Sequence, residues 1–553
     1  FKQKTAYEIR LSLVGSEMCI RDSSGGVWQT AATWVQNRVP VETDNVLVVG
    51  PVTLDVGAYG DCNTITFSGA GTLSSTGVPS ATTFSLIRIF GGNNQIIALD
   101  DTVVTEINFW DRSNFGATYD IAFVVASGAT LTLNNSIQGQ WARTVVKRGN
   151  GVLDWNAVPA SYVAAWDDGP TRVETGTFRL RVAGGRPPGF DVQVSGGATF
   201  DLRVDHAVSA LNGQGVVTSA TAGSTVLSVA GGSWSGTIQN GSGVLSVIAT
   251  GVNTWAGDNT FTGGLVLSAG TLSLTGSRAV ADACAVTAAA GSTLVVDGNE
   301  VIGPLSGAGN VTLNAGLTVN HGSAAPAFSG VLSGTGFLSV IGVSAGALTL
   351  SGVNTHSGGT ILGAGGTVVI GSTVALGAST APLVFDGGRL RLNAHTNLTS
   401  AAVQTTAVGS GPSAVLAVQG ASPADRPISV TANDGDLDLG AFSLAVAAFS
   451  TAVGQDLTIT GNGTTGLSLT DPALFVVVPS GIATWAGQLK LGSAFGFLCK
   501  RGAGSLAITN GGNTWSSRVI RAEEGSLEFG ASGSLGTVGN WVCLLYTSPS
   551  PRD

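Results

Sequence analysis

The chain has 553 residues and a formal net charge of −9, and it contains 81 glycines but only 11% charged residues. This composition excludes disorder, which needs charge and few β-branched residues, and the irregular glycine spacing excludes collagen. The acidic balance argues against nucleic acid as a partner, because such affinity comes from Lys and Arg facing phosphates. The length fits about three or four ordinary domains, or one long repetitive domain.

Both termini resemble translated sequencing adapters rather than natural protein. The strings are KQKTAYEI at 2–9, LVGSEMCIRD at 13–22 and CLLYTSPSPRD at 543–553. Codons for Met18 to Asp22, reverse-complemented and read in a shifted frame, can encode Leu544 to Thr547, which indicates one oligonucleotide on both sides. We therefore predict that residues 1–23 and 543–553 are adapter-derived, and that 24–542 is the natural part and an internal fragment of a longer protein.

Residues 24–142 form the first natural segment, which we predict to be a β-rich N-terminal capping region. It opens with Trp28 and Trp34, followed by Val39-Pro40 and by Asp44-Asn45-Val46. Short apolar runs bounded by Gly, Asn, Ser and Thr follow, and such runs are typical of strands joined by turns. Clear repeats begin only near residue 143.

Residues 143–542 contain an internal repeat with the periodicity of β-strands. The segments 257–276, 346–371 and 502–530 share Asn-Thr-aromatic, a Gly/Ser turn, a short strand, and a second strand ending in Gly. Apolar and polar residues alternate within each strand, so one face is buried. Because so small a unit buries that face only against copies of itself, the pattern predicts a solenoid with coils of roughly 20–25 residues. Asn-Gly and Asp-Gly hairpin turns are few, which favours parallel stacking over a sandwich.

Residues 154–170, DWNAVPASYVAAWDDGP, interrupt the repeat, and we predict that they form a loop projecting from the solenoid. Binding residues lie disproportionately on such loops. Trp166 stands beside Asp167 and Asp168, and an acid next to an aromatic ring suits contact with a glycan. The alternative interpretation is an ordinary solvated loop.

A second acidic cluster lies at residues 433–438, NDGDLD. On a strand, Asp434, Asp436 and Asp438 share one face, and three carboxylates can hold Ca²⁺. The run lacks the nonapeptide calcium repeat, however, and aspartate-rich turns are common. Calcium is therefore the weaker of the two interpretations.

Few other residues suggest chemistry. The four histidines are widely scattered, and none has a metal-ligand spacing such as HExxH; they are His206, His321, His356 and His395. Outside the termini the cysteines are odd in number and far apart, which favours neither a zinc site nor a disulfide framework; they are Cys62, Cys284 and Cys499. We expect no cofactor, no catalytic residue, and no metal beyond the weak calcium candidate.

The segment LTLSGVNTHSGGTILGAGGTVVIG at 348–371 closely resembles the autotransporter-associated β-strand repeat of large secreted bacterial proteins. The resemblance implies a right-handed parallel β-helix. The opening segment around Trp28 and Trp34 is similar to the segment that often precedes these repeats. One departure is His356, where the family usually carries Tyr or Phe, and a ring stacked on the next coil is the simplest interpretation.

Two functional classes fit the sequence. The first is a secreted bacterial surface protein, a β-helical passenger or stalk that presents loops for adhesion. The resemblance implies an extracellular, outer-membrane-associated location, a host or matrix surface (including glycans) as partner, and a C-terminal translocator barrel or another anchor in the full protein.

The alternative is an extracellular polysaccharide-degrading β-helix enzyme, a lyase or a glycosidase. That chemistry needs clustered carboxylates and a basic residue on one strand face. Only Lys147, Lys490 and Lys500 lie within 24–542, and none stands beside an acid cluster. The sequence therefore favours the non-enzymatic stalk.

Overall fold

The computed structural model confirms the prediction of an all-β fold built as a parallel β-helix. It describes residues 19–386 except 23, 77–84, 91–94, 106, 112–119, 135–143, 157–169, 182–189, 344, 373–374, 379–380 and 382, and beyond 386 the strands named below with short adjoining turns. The helical content of this described part is one 3₁₀ turn, Ala31–Thr33. The chain divides into two compact units, Phe1–Gly263 and Gly264–Asp553.

The first unit is built from short strands separated by turns. In chain order they are β1 (Cys19–Arg21), β2 (Gly26–Val27), β3 (Asn45–Val48), β4 (Pro51–Leu54), β5 (Tyr59–Cys62), β6 (Thr64–Phe67), β7 (Thr72–Ser75), β8 (Ser85–Ile89), β9 (Gln95–Ala98), β10 (Thr102–Thr105), β11 (Ile107–Asp111), β12 (Ile121–Val125), β13 (Thr130–Asn134), β14 (Val145–Arg148), β15 (Val152–Asn156), β16 (Thr171–Val173), β17 (Thr177–Leu180), β18 (Asp191–Val194), β19 (Thr199–Leu202), β20 (His206–Val208), β21 (Ala210–Gly213), β22 (Val216–Thr218), β23 (Ser224–Trp234), β24 (Thr237–Ile238) and β25 (Val244–Trp255).

These strands form three ladders in which each strand pairs in parallel with a strand of the next coil. One ladder runs β2-β4-β7-β10-β13-β15-β17-β19-β22-β24, and a short one joins β5, β8 and β11. The third contains β1, β3, β6, β9, β12, β14, β16, β18, β20, β21, β23 and β25. Residues hydrogen-bonded across coils are 17 apart at Ser246 and Gly263 and 32 apart at Ser68 and Asp100, so coil length varies around the predicted value.

Apolar side chains stack in register to form the core of the first unit. Leu131 pairs with Leu153, Leu153 with Phe178, Phe178 with Phe200, and Phe200 with Val217, and all five are fully buried. The Phe178 and Phe200 rings stack with centroids 5.8 Å apart. Burial of each such side chain is worth about 1.5–3 kcal/mol, which is why the period-two alternation decides the fold.

The predicted capping region, 24–142, contributes strands to all three ladders. Trp28 and Trp34 are buried and meet edge to face at 5.0 Å, and the Trp34 Nε1 donates a 2.9 Å hydrogen bond to the Trp28 carbonyl. Asp44 accepts two hydrogen bonds from Arg38, of 2.6 and 2.7 Å. Strand β1 lies in the segment predicted to be adapter-derived, and it pairs in parallel with β3.

The second unit continues the same construction. Its strands are β26 (Leu265–Leu267), β27 (Thr271–Leu274), β28 (Val286–Ala288), β29 (Thr293–Val296), β30 (Glu300–Ile302), β31 (Leu305–Gly307), β32 (Asn310–Leu313), β33 (Leu317–Asn320), β34 (Ala327–Phe328), β35 (Leu332–Gly334), β36 (Leu338–Ile341), β37 (Leu348–Leu350), β38 (Thr360–Leu362), β39 (Thr367–Ile370), β40 (Leu383–Asp386), β41 (Arg389–Arg391), β42 (Ala414–Val418), β43 (Arg426–Val430), β44 (Ala432–Asn433), β45 (Gly435–Asp438), β46 (Leu444–Ala448), β47 (Leu457–Thr460), β48 (Ala473–Val477), β49 (Ile482–Trp485), β50 (Leu489–Leu491), β51 (Phe497–Arg501), β52 (Ser505–Ile508), β53 (Thr514–Trp515), β54 (Val519–Ala522), β55 (Ser526–Phe529) and β56 (Trp541–Leu544).

Its ladders are again parallel, with one local exception. Strand β42 pairs antiparallel with both β43 and β46. In the parallel part, Leu272, Leu294, Val311 and Leu332 lie in register on successive strands and are buried. The repeat segments at 257–276 and 346–371 thus contribute strands to stacked coils, as their alternation predicted.

Candidate functional site

Five charged side chains form a network along β15, β17 and β19 of the first unit. Register places Asp154 opposite Arg179, and Arg179 opposite Asp201. Arg179 donates to both carboxylates, at 3.3 Å to Asp154 and 3.0 Å to Asp201. Arg181 makes two 2.6 Å bonds to Asp154, and Arg203 bonds to Asp201 at 3.0 Å.

This network carries a net positive charge. The carboxylates of Asp154 and Asp201 are 3% and 4% exposed, whereas Arg181 is 45% exposed. Charge-assisted, bidentate bonds of this kind are shorter and stronger than neutral ones. Three guanidinium groups face two carboxylates, so the outer surface keeps one uncompensated cation.

The network lies next to two segments that the structure does not describe. Strand β15 ends at Asn156, directly before residues 157–169, and Arg181 stands directly before residues 182–189. The predicted loop at 154–170 is wrong in its first three residues: Asp154 to Asn156 belong to β15, because Trp155 is buried and Asp154 is paired. Trp166, Asp167 and Asp168 lie outside the described residues, so their contact with a glycan stays a prediction.

The calcium candidate is partly located by the backbone. Strand β45 carries Asp436 and Asp438 two residues apart, on one face, and Asp434 lies outside the described residues. Register places Asp436 opposite Arg389 and Asp438 opposite Arg391. The calcium site itself therefore stays a prediction.

Lys147 is a buried cation that joins two turns. Its side chain is fully buried, and Nζ donates to the carbonyls of Arg148 at 2.8 Å, Gly149 at 2.6 Å and Thr175 at 3.1 Å. Burial lowers the pKa of Lys147 to about 8. An ammonium has three hydrogens, and here three carbonyls accept them. Lys147 therefore fastens its own turn to that of the next coil.

Glu300 plays a comparable part in the second unit. Its carboxylate is buried and accepts backbone N–H bonds from Ala279 at 3.1 Å and Val280 at 2.9 Å. Burial raises the pKa of Glu300 to about 7. Both oxygens are occupied by the loop of the preceding coil, so the group supports the backbone.

The described histidines are also used within the core. His321 is buried, its Nε2 accepts a 2.9 Å bond from the Thr367 amide, and burial lowers its pKa. His356 is buried, and its Nε2 lies 3.1 Å from the Thr360 hydroxyl, which itself donates to the Leu376 carbonyl. His395 lies outside the described residues.

His206, in the first unit, is buried with its ring centroid 5.2 Å from that of Phe190.

Buried asparagines connect coils at the repeat motif. Asn354 accepts a 2.8 Å bond from the Leu332 amide and donates to the Ala375 carbonyl. In the other unit, Asn259 accepts a 2.7 Å bond from the Ile238 amide. The two asparagines aligned by their Asn-Thr-aromatic motif thus have the same role, and the motif is the signal that identifies them.

Cys62 and Cys284 are buried free thiols, and burial raises the pKa of Cys284 to about 12. Within the described residues, no three His, Cys, Asp or Glu side chains come together as a metal-binding group. None of the helical structure described here has the length and apolar character needed to cross a membrane. Comparisons with models of known protein families, with curated proteins and with solved structures find no match.

Proposed function

We propose that this chain is the β-solenoid stalk of a secreted bacterial surface protein that resembles an autotransporter passenger and presents loops for adhesion to a host or matrix surface. The observation that carries the proposal is the arginine–aspartate network at the strand ends next to residues 157–169, which the sequence predicts to be a projecting loop, and residues 182–189. A network of charge-assisted bonds fixes the strand ends from which these segments start. A rigid base of this kind is what a presented binding loop needs.

The use of the buried ionisable groups supports a stalk rather than an enzyme. Lys147 and Glu300 have strongly shifted pKa values, which elsewhere mark catalytic groups. Here each is occupied by backbone partners of an adjacent coil or turn. A general acid or base must instead reach a proton on the substrate. The shifts therefore fit coil-to-coil support.

The proposal is tested by replacing residues 157–169 with a short Gly-Ser linker in the full chain. The matched control replaces residues 77–84, which separate β7 from β8 in the same unit. Both variants and the parent are coupled to beads, and their adhesion to immobilised matrix proteins and polysaccharides is counted. We expect adhesion to at least one of these surfaces to fall at least tenfold for the 157–169 variant and to stay unchanged for the 77–84 variant, with hydrogen exchange of β15 unchanged in both.

Equal adhesion of all three proteins would refute loop presentation. The same polysaccharides are assayed for newly formed reducing ends and for unsaturated products. Release of either by the parent chain, lost on replacement of 157–169, would favour the polysaccharide-degrading enzyme instead.

A further inference from the structure

The three-stranded sheet β5-β8-β11 carries a row of aromatic and charged side chains on its outer face. Alternation turns Cys62 and Ile87 into the core, where both are fully buried. Tyr59, Asp61 and Arg88 point the other way, and 52% of Tyr59 is exposed. Register places Asp61 opposite Arg88, so these groups meet across neighbouring coils.

Arg88 is held in one position by three neighbours. Its Nε and Nη2 donate to the two oxygens of Asp61 at 2.5 and 2.6 Å. Its guanidinium carbon lies 4.8 Å from the centre of the Tyr59 ring and 5.7 Å from that of Phe90. Within the part of the chain that the structure describes, Asp61 takes two of the five guanidinium N–H groups, and the others can donate to a ligand.

We propose that this surface, the Tyr59 platform (Tyr59, Asp61, Arg88 and Phe90), binds a neutral pyranose ring of an oligosaccharide. A pyranose has an apolar C–H face for an aromatic ring and a rim of hydroxyls that donate and accept. The platform offers an aromatic ring together with guanidinium donors and carboxylate acceptors. Such a combination of apolar surface and a few placed polar groups is typical of ligand sites.

The charges on the platform favour a neutral sugar over an acidic one. Asp61 and Arg88 form a bidentate pair, so their charges are already compensated. An anionic sugar therefore gains little extra attraction here, because Asp61 already balances the charge of the guanidinium. The same pairing fixes Arg88 before a ligand arrives, which reduces the entropy lost on binding.

The platform extends over two rungs of one ladder. Tyr59 and Asp61 lie on β5, and Arg88 lies opposite Asp61 on β8. Rungs are about 4.8 Å apart, so successive rungs lie side by side along the stack of coils. We therefore assign an oligosaccharide rather than a single sugar. None of the platform residues belongs to 157–169, so the inference goes beyond the proposed function.

The test is isothermal titration of the full chain with hexasaccharides of β-1,4-glucan, α-1,4-glucan and β-1,4-mannan, with tri-galacturonate as the acidic probe. We expect at least one neutral hexasaccharide to bind. Tyr59→Ala should weaken that binding at least tenfold, and Tyr59→Phe, which keeps the ring, should change it less than threefold. Arg88→Lys should weaken it severalfold, because an ammonium cannot form the bidentate pair.

Trp166→Ala is the control for the loop, and it should leave binding unchanged. Circular dichroism and the melting curve should be unchanged in Tyr59→Ala, since the side chain is half exposed. The proposal is refuted if none of the neutral probes binds, if tri-galacturonate binds in their place, or if Trp166→Ala but not Tyr59→Ala removes binding. Loss of bead adhesion on replacing 157–169 tests the proposed function independently.

Discussion

Asn354 offers the sharpest test of how the coils are held together. Its side chain accepts from the Leu332 amide and donates to the Ala375 carbonyl, and all three residues are at most 2% exposed. Asn354→Leu keeps the volume but leaves one backbone donor and one acceptor unsatisfied. Each such buried group costs about 1–3 kcal/mol. Allowing for the added apolar burial, we expect local stability to fall by about 3 kcal/mol.

Hydrogen exchange is the appropriate measurement, because stacked repeats need not unfold in a single two-state step. The Leu332 amide hydrogen is protected by its bond to the Asn354 side chain. A loss of about 3 kcal/mol in Asn354→Leu should therefore accelerate exchange of this amide by about a hundredfold. The control is Asn314→Leu. The side-chain amide of Asn314 donates a 2.7 Å hydrogen bond to Asp297 on an exposed surface, so its removal should lower local stability by at most about 0.5 kcal/mol. If the two variants exchange alike at Leu332, Asn354 does not support the coil and the reasoning fails.

Three further predictions use matched pairs or defined conditions. Gly128→Ala should lower the free energy of unfolding by about 1–2 kcal/mol, because its φ of +82° strains any residue with a Cβ although no atom lies within reach of that Cβ. Gly149→Ala should lower the free energy of unfolding by at least about 2 kcal/mol more than Gly128→Ala, because its Cβ would clash with the carbonyl oxygen of Val125; equal losses in the two melting curves would contradict this reasoning. Burial raises the pKa of Glu300 from 4.5 to about 7, so between these pH values the folded chain keeps a proton that the unfolded chain has lost. The free energy of unfolding of the second unit should therefore fall by on the order of 3 kcal/mol from pH 4.5 to pH 7. The denaturation midpoint of the parent chain should be lower at pH 8 than at pH 5, and this difference should be smaller in Glu300→Gln. An equal difference in the two proteins would contradict the prediction. In a calorimetric titration, calcium up to about 1 mM should give no heat of binding that depends on Asp436 and Asp438. A heat of binding that disappears when both residues are replaced by Asn would establish the calcium site.

Strands were predictable because alternation is a local property of the chain. A strand such as Leu348-Thr349-Leu350 buries every second residue whatever its partner is, and Leu348 and Leu350 are both buried. The equivalence of Asn259 and Asn354 also followed from a short motif. In both cases the information lies within a few neighbouring residues.

Contacts between coils could not be predicted in the same way. Asp61 and Arg88 are 27 residues apart, and coil length varies along the chain, so no fixed spacing identifies such pairs. The direction of a polar side chain depends on register as well as on period. Glu300 was therefore not recognised as buried, and Asp154 was assigned to a loop although it lies in a strand.

The motif KRGxG occurs twice, at residues 147–151 and 500–504, and it shows what the repeat requires beyond alternating strands. Lys147 in the first unit donates to the carbonyl of Thr175, and Lys500 in the second is also buried and donates at 3.2 Å to the carbonyl of Glu524. Thr175 and Glu524 each precede a glycine with positive φ, Gly176 and Gly525. The same short sequence thus places a buried ammonium against the same kind of turn in both units. Because a cation bound to backbone carbonyls of two turns holds those turns together, this recurrence indicates that the KRGxG motif stabilises the stacking of coils.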